Sequence, residues 1–355
     1  MNIIDIMSGQ SKGFGPSITR ILLRCGTGLY SFITSLRNFM YDKGLLKSYK
    51  LDVPVICVGN ITAGGTGKTP MVVWLCKYLQ SQSLKVALLT RGYRSQNTVS
   101  DDNEDIYDAN DEVQMLQAML EDVAIIVNPD RVAGGRTAID EHKADIIVMD
   151  DGFQHRRLKR DLDIVMIDCL NPFGYNKLLP AGLLRESLKG LKRAGLIVLS
   201  RCDLIDGTEK ARILQKMTDF TEKAPVLAKH SPSSLLDIQG QKHHLNDLIN
   251  AKIVAFCGIG NPHGFVGTLH KLGANVIAQH FFDDHTQYDE SKVLKVQELA
   301  EKNEAELILT TEKDWVKLEN VQATQNLKNL RRLQIELSLG EYEVVVKDII
   351  RKVLD

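Results

Sequence analysis

Val53-Pro-Val-Ile-Cys-Val58 runs into Gly59-Asn-Ile-Thr-Ala-Gly-Gly-Thr-Gly-Lys-Thr-Pro70, and from there into the apolar stretch Met71-Val-Val-Trp-Leu-Cys76. A β-branched run, a glycine-rich loop and then a helical pattern place the loop at the carboxyl edge of a parallel strand, ahead of a helix N-terminus. Gly64, Gly65 and Gly67 leave the backbone free to curl its N–H groups around phosphate oxygens, and the positive end of the helix points at the same place. The segment Thr62, Ala63, Gly64, Gly65, Thr66, Gly67, Lys68 and Thr69 is therefore the expected nucleotide-phosphate cradle. Lys68 would reach the β and γ phosphates, and the Thr69 hydroxyl would ligate Mg²⁺. Thr62 stands where the strict phosphate-loop pattern has Gly, and Ala63 lacks the extra lysine of the MinD-like ATPase loop.

Apolar runs of strand length follow at Lys85–Thr90, Val123–Val127, Asp145–Met149, Leu162–Ile167 and Gly195–Leu199, with helical patterns at Gly67–Gln80 and Glu112–Leu120. Continuous apolar strands separated by helices predict a parallel sheet covered on both faces. Beyond a polar stretch at 229–250, strands are expected at Lys252–Cys257, Asn275–Gln279 and Glu306–Leu309, and helices near 262–272 and 289–302. The expected architecture is α/β: a P-loop NTPase-like parallel sheet with helices on both faces, a smaller second α/β domain, and an N-terminal amphipathic helix. The expected boundaries are an arm at 1–50, the P-loop domain at 51–228, a linker at 229–250 and the smaller domain at 251–355.

With 355 residues, the chain is long enough for about two domains. Its 44% hydrophobic and 25% charged content is that of a folded globular protein, and a net charge of -1 excludes the global basic field of a non-specific nucleic-acid binder. The six cysteines form no C-x-x-C pair and have no histidine at metal-ligand spacing, so they read as buried small hydrophobes in a reducing compartment. The amino terminus lacks the features of a signal peptide.

The first fifty residues stand apart, with seven basic residues against two acidic ones. Ile18, Ile21, Leu22, Cys25, Leu29, Phe32, Ile33, Leu36 and Met40 recur at helical spacing. Only twelve residues, Cys25–Leu36, run without a charge, too few for a membrane span. Two readings stay open for this stripe: packing on the protein's own core, or lying in a bilayer interface with its arginines at the headgroups.

A phosphate loop needs a carboxylate at the end of a neighbouring strand to hold Mg²⁺, and Asp145-Ile-Ile-Val-Met-Asp-Asp151 supplies Asp150 and Asp151. The run Asp150-Asp-Gly-Phe-Gln-His-Arg-Arg-Leu-Lys-Arg-Asp161 is preceded by Thr90-Arg-Gly-Tyr93 and Asn128-Pro-Asp-Arg131 and followed by Leu178-Leu-Pro-Ala-Gly-Leu-Leu-Arg-Glu186. Together with Gly59–Pro70, Phe256-Cys-Gly-Ile-Gly-Asn-Pro262, Phe282-Asp-Asp-His285 and Leu309-Thr-Thr-Glu-Lys-Asp314, these segments resemble the tetraacyldisaccharide 4′-kinase family of lipid A biosynthesis, over nearly the whole chain. Asn110-Asp-Glu-Val113 and Leu183-Leu-Arg-Glu-Ser187 depart from the family's Gly-Asp-Glu-Pro and Pro-Leu-Arg-Glu-Pro.

The resemblance implies transfer of the γ-phosphoryl group of ATP to the 4′-hydroxyl of a tetraacyldisaccharide 1-phosphate, forming lipid IVA, with Mg²⁺ as cofactor. It implies Asp130 as the acceptor of the sugar hydroxyl proton, paired with His285 from the second domain when the cleft closes, beside Lys68 and Arg185. Asp150, Asp151 and Glu186 join Thr69 as Mg²⁺ candidates, and Arg91, Tyr93, Gln154 and His155 as substrate contacts. Without the resemblance, Asp130 reads as a surface ion-pair member and His285 as a loop histidine.

A lipid acceptor gives the basic arm a purpose, so the expected partners are the glycolipid and a membrane surface, with no nucleic acid and no protein partner. The expected location is the cytoplasmic face of the bacterial inner membrane, held peripherally by the amino-terminal helix. A P-loop GTPase or ATPase acting as switch or metallochaperone is the alternative, and a nucleotide-gated membrane-binding module without catalysis a third. Ser200-Arg-Cys-Asp203 departs from the guanine-reading N-K-x-D at its first two positions and reads as a strand end.

Overall fold

The computed structural model describes residues 3–9, 11–91, 113–284, 286–319 and 321–354. Tyr93, Asp111, Glu112 and His285 lie outside the described residues. The chain forms two compact units, one from the described residues of 1–91, 122–230 and 337–355, the other from those of 92–121 and 231–336.

The first unit opens with helices α1 (Ile3–Ser8) and α2 (Phe14–Asp42). Strand β1 (Val55–Asn60), helix α3 (Lys68–Ser81) and strand β2 (Val86–Thr90) follow, at the expected places within one or two residues. After α4, a helix over residues 113–119 that belongs to the second unit, the first unit continues with β3 (Ala124–Val127), α5 (Arg131–Asp140), β4 (Ile146–Asp150), β5 (Leu162–Asp168), β6 (Leu196–Ser200), α6 (Gly207–Met217) and β7 (Val226–Leu227). Seven strands pair in the order β3-β2-β4-β1-β5-β6-β7, all parallel. The order reverses about β1, so the loop after β1 sits at the switch point where open α/β sheets bind ligands. Every residue of β1, β4 and β6 is buried, as a sheet covered on both faces requires.

The second unit holds β8 (Lys229–Leu236), β9 (Lys242–His243), β10 (Lys252–Cys257), α7 (Pro262–Lys271), β11 (Asn275–Phe281), α8 (Glu290–Lys302), β12 (Leu307–Thr311), α9 (Glu312–Leu318) and β13 (Leu330–Ser338), its boundary cutting β8 and β13 near their ends. Its sheet runs β11-β10-β12-β13-β8-β9. The polar stretch 229–250 thus carries two strands. Helix α10 (Glu343–Leu354) packs with the first unit, and Lys347 Nζ lies 5.4 Å from the centre of the Tyr78 ring on α3.

Among the described residues no helix is long and apolar enough to cross a membrane. The apolar residues of α2 are nevertheless left outside: Phe14 is 85%, Leu22 66% and Phe32 65% exposed, with Ile18, Ile21, Leu29, Ile33, Leu36 and Phe39. Of the cysteines expected in the core, Cys25 is exposed, because it lies among these residues; the other five are buried.

Candidate functional site

The loop between β1 and α3 is held at both ends. At its start, Ala63 N donates to Leu183 O at 2.7 Å and Arg185 N donates to Ile61 O at 2.8 Å, so residues 61–63 run alongside 183–185. At its end Gly67 takes a left-handed backbone (φ 81) that lets the chain turn into α3. A Cβ on Gly67 would also lie 2.6 Å from His230 Nε2. Thr62 and Thr66 are buried, and Asn60 Nδ2 donates to Thr66 Oγ1 at 3.0 Å. Lys68 and Thr69 thus open α3, with the helix's unpaired amides beside them.

The pairing with 183–185 carries Arg185 to Asp151. Arg185 Nη1 donates to both Asp151 oxygens at 2.8 Å, and Lys68 Nζ lies 3.6 Å from Oδ1. Burial alone would raise the Asp151 pKa, yet Lys68 and Arg185 outweigh it and hold the carboxyl below its ordinary value. Asp150, 4% exposed, ends β4 directly beside β1, in register with Val58. Its carbonyl accepts from Arg131 Nη2 at 3.1 Å; burial lowers the Arg131 pKa to about 10.

Glu186 is 2% exposed. Arg193 Nη2 donates to its Oε2 at 2.7 Å, Gln154 Nε2 to its Oε1 at 3.0 Å, and Asn38 Nδ2 of α2 reaches Oε2 at 3.4 Å. Gln154 also donates to Asn60 O at 2.8 Å, which ties it to the end of β1. His155 is held neutral, its pKa pushed down to about 4 by burial and by Arg131, Arg160 and Arg37. Arg91 is exposed just after β2.

Asp130 caps α5: Oδ1 accepts from Val132 N at 3.0 Å and Ala133 N at 3.2 Å, and Oδ2 pairs with Arg157 at 3.1 Å. The Ala133 amide does most to lower its pKa, so this half-exposed carboxyl is ionised at neutral pH.

Among the described residues no group of three or more His, Cys, Asp or Glu is arranged to hold a metal by itself. The donor chemistry still fits Mg²⁺, which binds through one or two carboxylates and completes its shell with substrate phosphates and water. Thr69, in the first turn of α3, and Asp150, at the end of β4, carry hard oxygen donors of the kind such a shell takes.

Sequence reasoning missed Arg131 and Arg193, which brace Asp150 and Glu186, and the contacts from α2. Tyr30 Oη donates to Arg185 O at 2.8 Å, Thr27 Oγ1 accepts from Ala181 N at 3.0 Å, and Arg37 donates to Gln154 O. Nothing in the spacing of these residues signals the contacts.

A family profile described as Tetraacyldisaccharide-1-P 4′-kinase matches residues 19–354. A tetraacyldisaccharide 4′-kinase from Halothermothrix orenii is 37% identical over 360 residues, covering 95% of this chain and 94% of the relative. One from Chlorobaculum parvum is 39% identical, covering 90% and 89%. The crystal structure of LpxK from Aquifex aeolicus in complex with ATP aligns with a TM-score of 0.74 at 30% identity, covering 95% of this chain and all of that one.

Proposed function

The chain belongs to the tetraacyldisaccharide-1-P 4′-kinase family, and from that premise we propose how its residues divide the work. The protein is an ATP- and Mg²⁺-dependent kinase that phosphorylates a lipid disaccharide at its 4′-hydroxyl in lipid A biosynthesis. Such transfers depend on positioning and on stabilising charge spread over the moving phosphoryl group. The amides of Gly64–Thr69 and the Lys68 ammonium hold the phosphates. Mg²⁺, when bound, would offset the phosphate charge; Thr69 and Asp150 would hold it, with Asp151 and Glu186 completing the acidic set.

Asp151 sets the places of Lys68 and Arg185, so that two cations face the transferring group. Asp130, ionised by its cap amides, accepts the hydroxyl proton, and His285 is the histidine that the family resemblance assigns to the same proton transfer. Arg91, Tyr93, Gln154 and His155 serve the sugar and its phosphate. The lipid lies in a membrane, and the exposed apolar residues of α2 dock there, on the cytoplasmic face of the inner membrane. The basic residues of the arm meet anionic headgroups. The single observation that carries this reading is the cluster Lys68–Asp151–Arg185 at the mouth of the loop, assembled by the 61–63 and 183–185 pairing.

The test is transfer of γ-labelled phosphate from ATP to tetraacyldisaccharide 1-phosphate in detergent micelles. Wild type is expected to label the lipid, with Lys68→Ala and Asp130→Asn each down by about 10²-fold or more. Label released only as free phosphate would overturn the assignment in favour of an NTPase.

A further inference from the structure

The turn after β6, Ser200-Arg-Cys-Asp203, has no part in the chemistry above, yet it grips the phosphate loop. Ser200 Oγ donates to Thr66 O at 2.8 Å, and Arg201 Nη2 donates to Gly65 O at 2.8 Å. Arg201 Nη1 is anchored in turn on Asp168 Oδ2, at the end of β5, at 2.8 Å. Ser200 is fully buried, and Arg201 holds a left-handed backbone (φ 58) that residues other than glycine adopt rarely. These two consecutive loop carbonyls are thus drawn to one body of the protein.

In a trans peptide the carbonyl of one residue and the N–H of the next share a plane and point in opposite directions. Fixing the carbonyls of Gly65 and Thr66 on the β6 turn therefore aims the amides of Thr66 and Gly67 away from it. Successive amides presented on one side make an anion-binding concavity, here next to Lys68 at the start of α3. Thr66 cannot rotate out of this arrangement freely, because Asn60 holds its hydroxyl and the residue is buried. His230 packs against Gly67 and closes the same flank.

We propose that Ser200 and Arg201 are positioning residues for phosphoryl transfer: through the Gly65 and Thr66 carbonyls they aim the Thr66 and Gly67 amides at the nucleotide phosphates. This rests on Gly64–Thr69 being the phosphate cradle. The Asp168–Arg201 pair keeps the guanidinium at the carbonyl. A guanidinium forks to both partners, whereas a lysine ammonium at the same place reaches them less well.

The experiment compares full-length wild type, Arg201→Met, Arg201→Lys, Ser200→Ala and Lys68→Ala. It measures KM for ATP and for the lipid separately, the Kd for ADP, and the thermal midpoint. Arg201→Met removes a charged hydrogen bond and is expected to raise KM for ATP and Kd for ADP by roughly ten- to a hundredfold. The lipid KM stays within about twofold, Ser200→Ala shows a smaller rise, and Arg201→Lys recovers part of the loss. Equal damage to ATP and lipid KM with a lowered midpoint would reduce Arg201 to a structural role and overturn the proposal. Unchanged ADP binding in Arg201→Met with loss in Lys68→Ala would overturn it alone; unchanged binding in both would overturn the cradle reading beneath it.

Discussion

Helices α2 and α3 belong to the same unit, are both rich in apolar residues, and use them in opposite ways. In α3, Met71, Val72, Val73, Leu75, Cys76 and Leu79 are buried. In α2, Pro16 is the one buried residue among those described, while leucines, isoleucines and phenylalanines face outward. The polar residues of α2 make its contacts instead: Thr27, Tyr30, Arg37 and Asn38 reach the segments that carry Gln154, Ala181, Arg185 and Glu186. A helix attached through its polar side, with its apolar residues free, can couple an apolar surface to the site, which a core helix cannot do.

The comparison predicts its largest difference in stability. Leu75→Ala on α3 is expected to cost about 2–5 kcal/mol in urea unfolding, the range for emptying a packed core site. Leu22→Ala on α2 is expected to stay within about 0.5 kcal/mol, as exposed positions do. Equal costs would mean that α2 is a core helix and would remove the contrast.

A smaller effect is expected at membranes. Leu22→Ser with Phe32→Ser should lower co-sedimentation with phosphatidylglycerol-containing vesicles by roughly tenfold or more, from the apolar area no longer buried. Activity on micellar substrate should change little. Undiminished vesicle binding would detach α2 from the membrane role.

The smallest effect concerns the polar side of α2. His155 has a native pKa near 4 against an ordinary 6.5, partly because Arg37 of α2 faces it. Between those values the unfolded chain takes up the proton first, so stability present above pH 6.5 is lost as pH falls towards 4. Thermal midpoints should fall across that window in wild type and fall less in His155→Asn. An unchanged slope would place the acid sensitivity elsewhere.

Much of the sheet was legible because burial on both faces leaves no choice but continuous apolar runs, as in Ile146–Asp150. The acids at the end of β4 and the glycine loop were legible for the same reason: phosphate chemistry confines those positions to few residue types. Helix α5 was not, since Gly134 and Gly135 argue against a helix. They are there because a Cβ would lie 2.6 Å from Leu89 Cδ1 or 2.4 Å from Leu51 Cδ1, so close packing overrides propensity. The strands in 229–250 were hidden by their polar, half-exposed composition. The Ser200–Arg201 grip depends on carbonyls, which carry no residue identity, and so in the sequence the segment reads only as a strand end.

Helix α10 has a consequence for biosynthesis. The chain leaves the first unit for the second after the nucleotide loop is made, and residues from 337 onward come back to it. A ribosome working from the amino end therefore finishes the second unit's segments before it supplies the last helix of the first. Because domains fold as units, the first unit gains its full set of contacts only after the residues from 337 onward have been made.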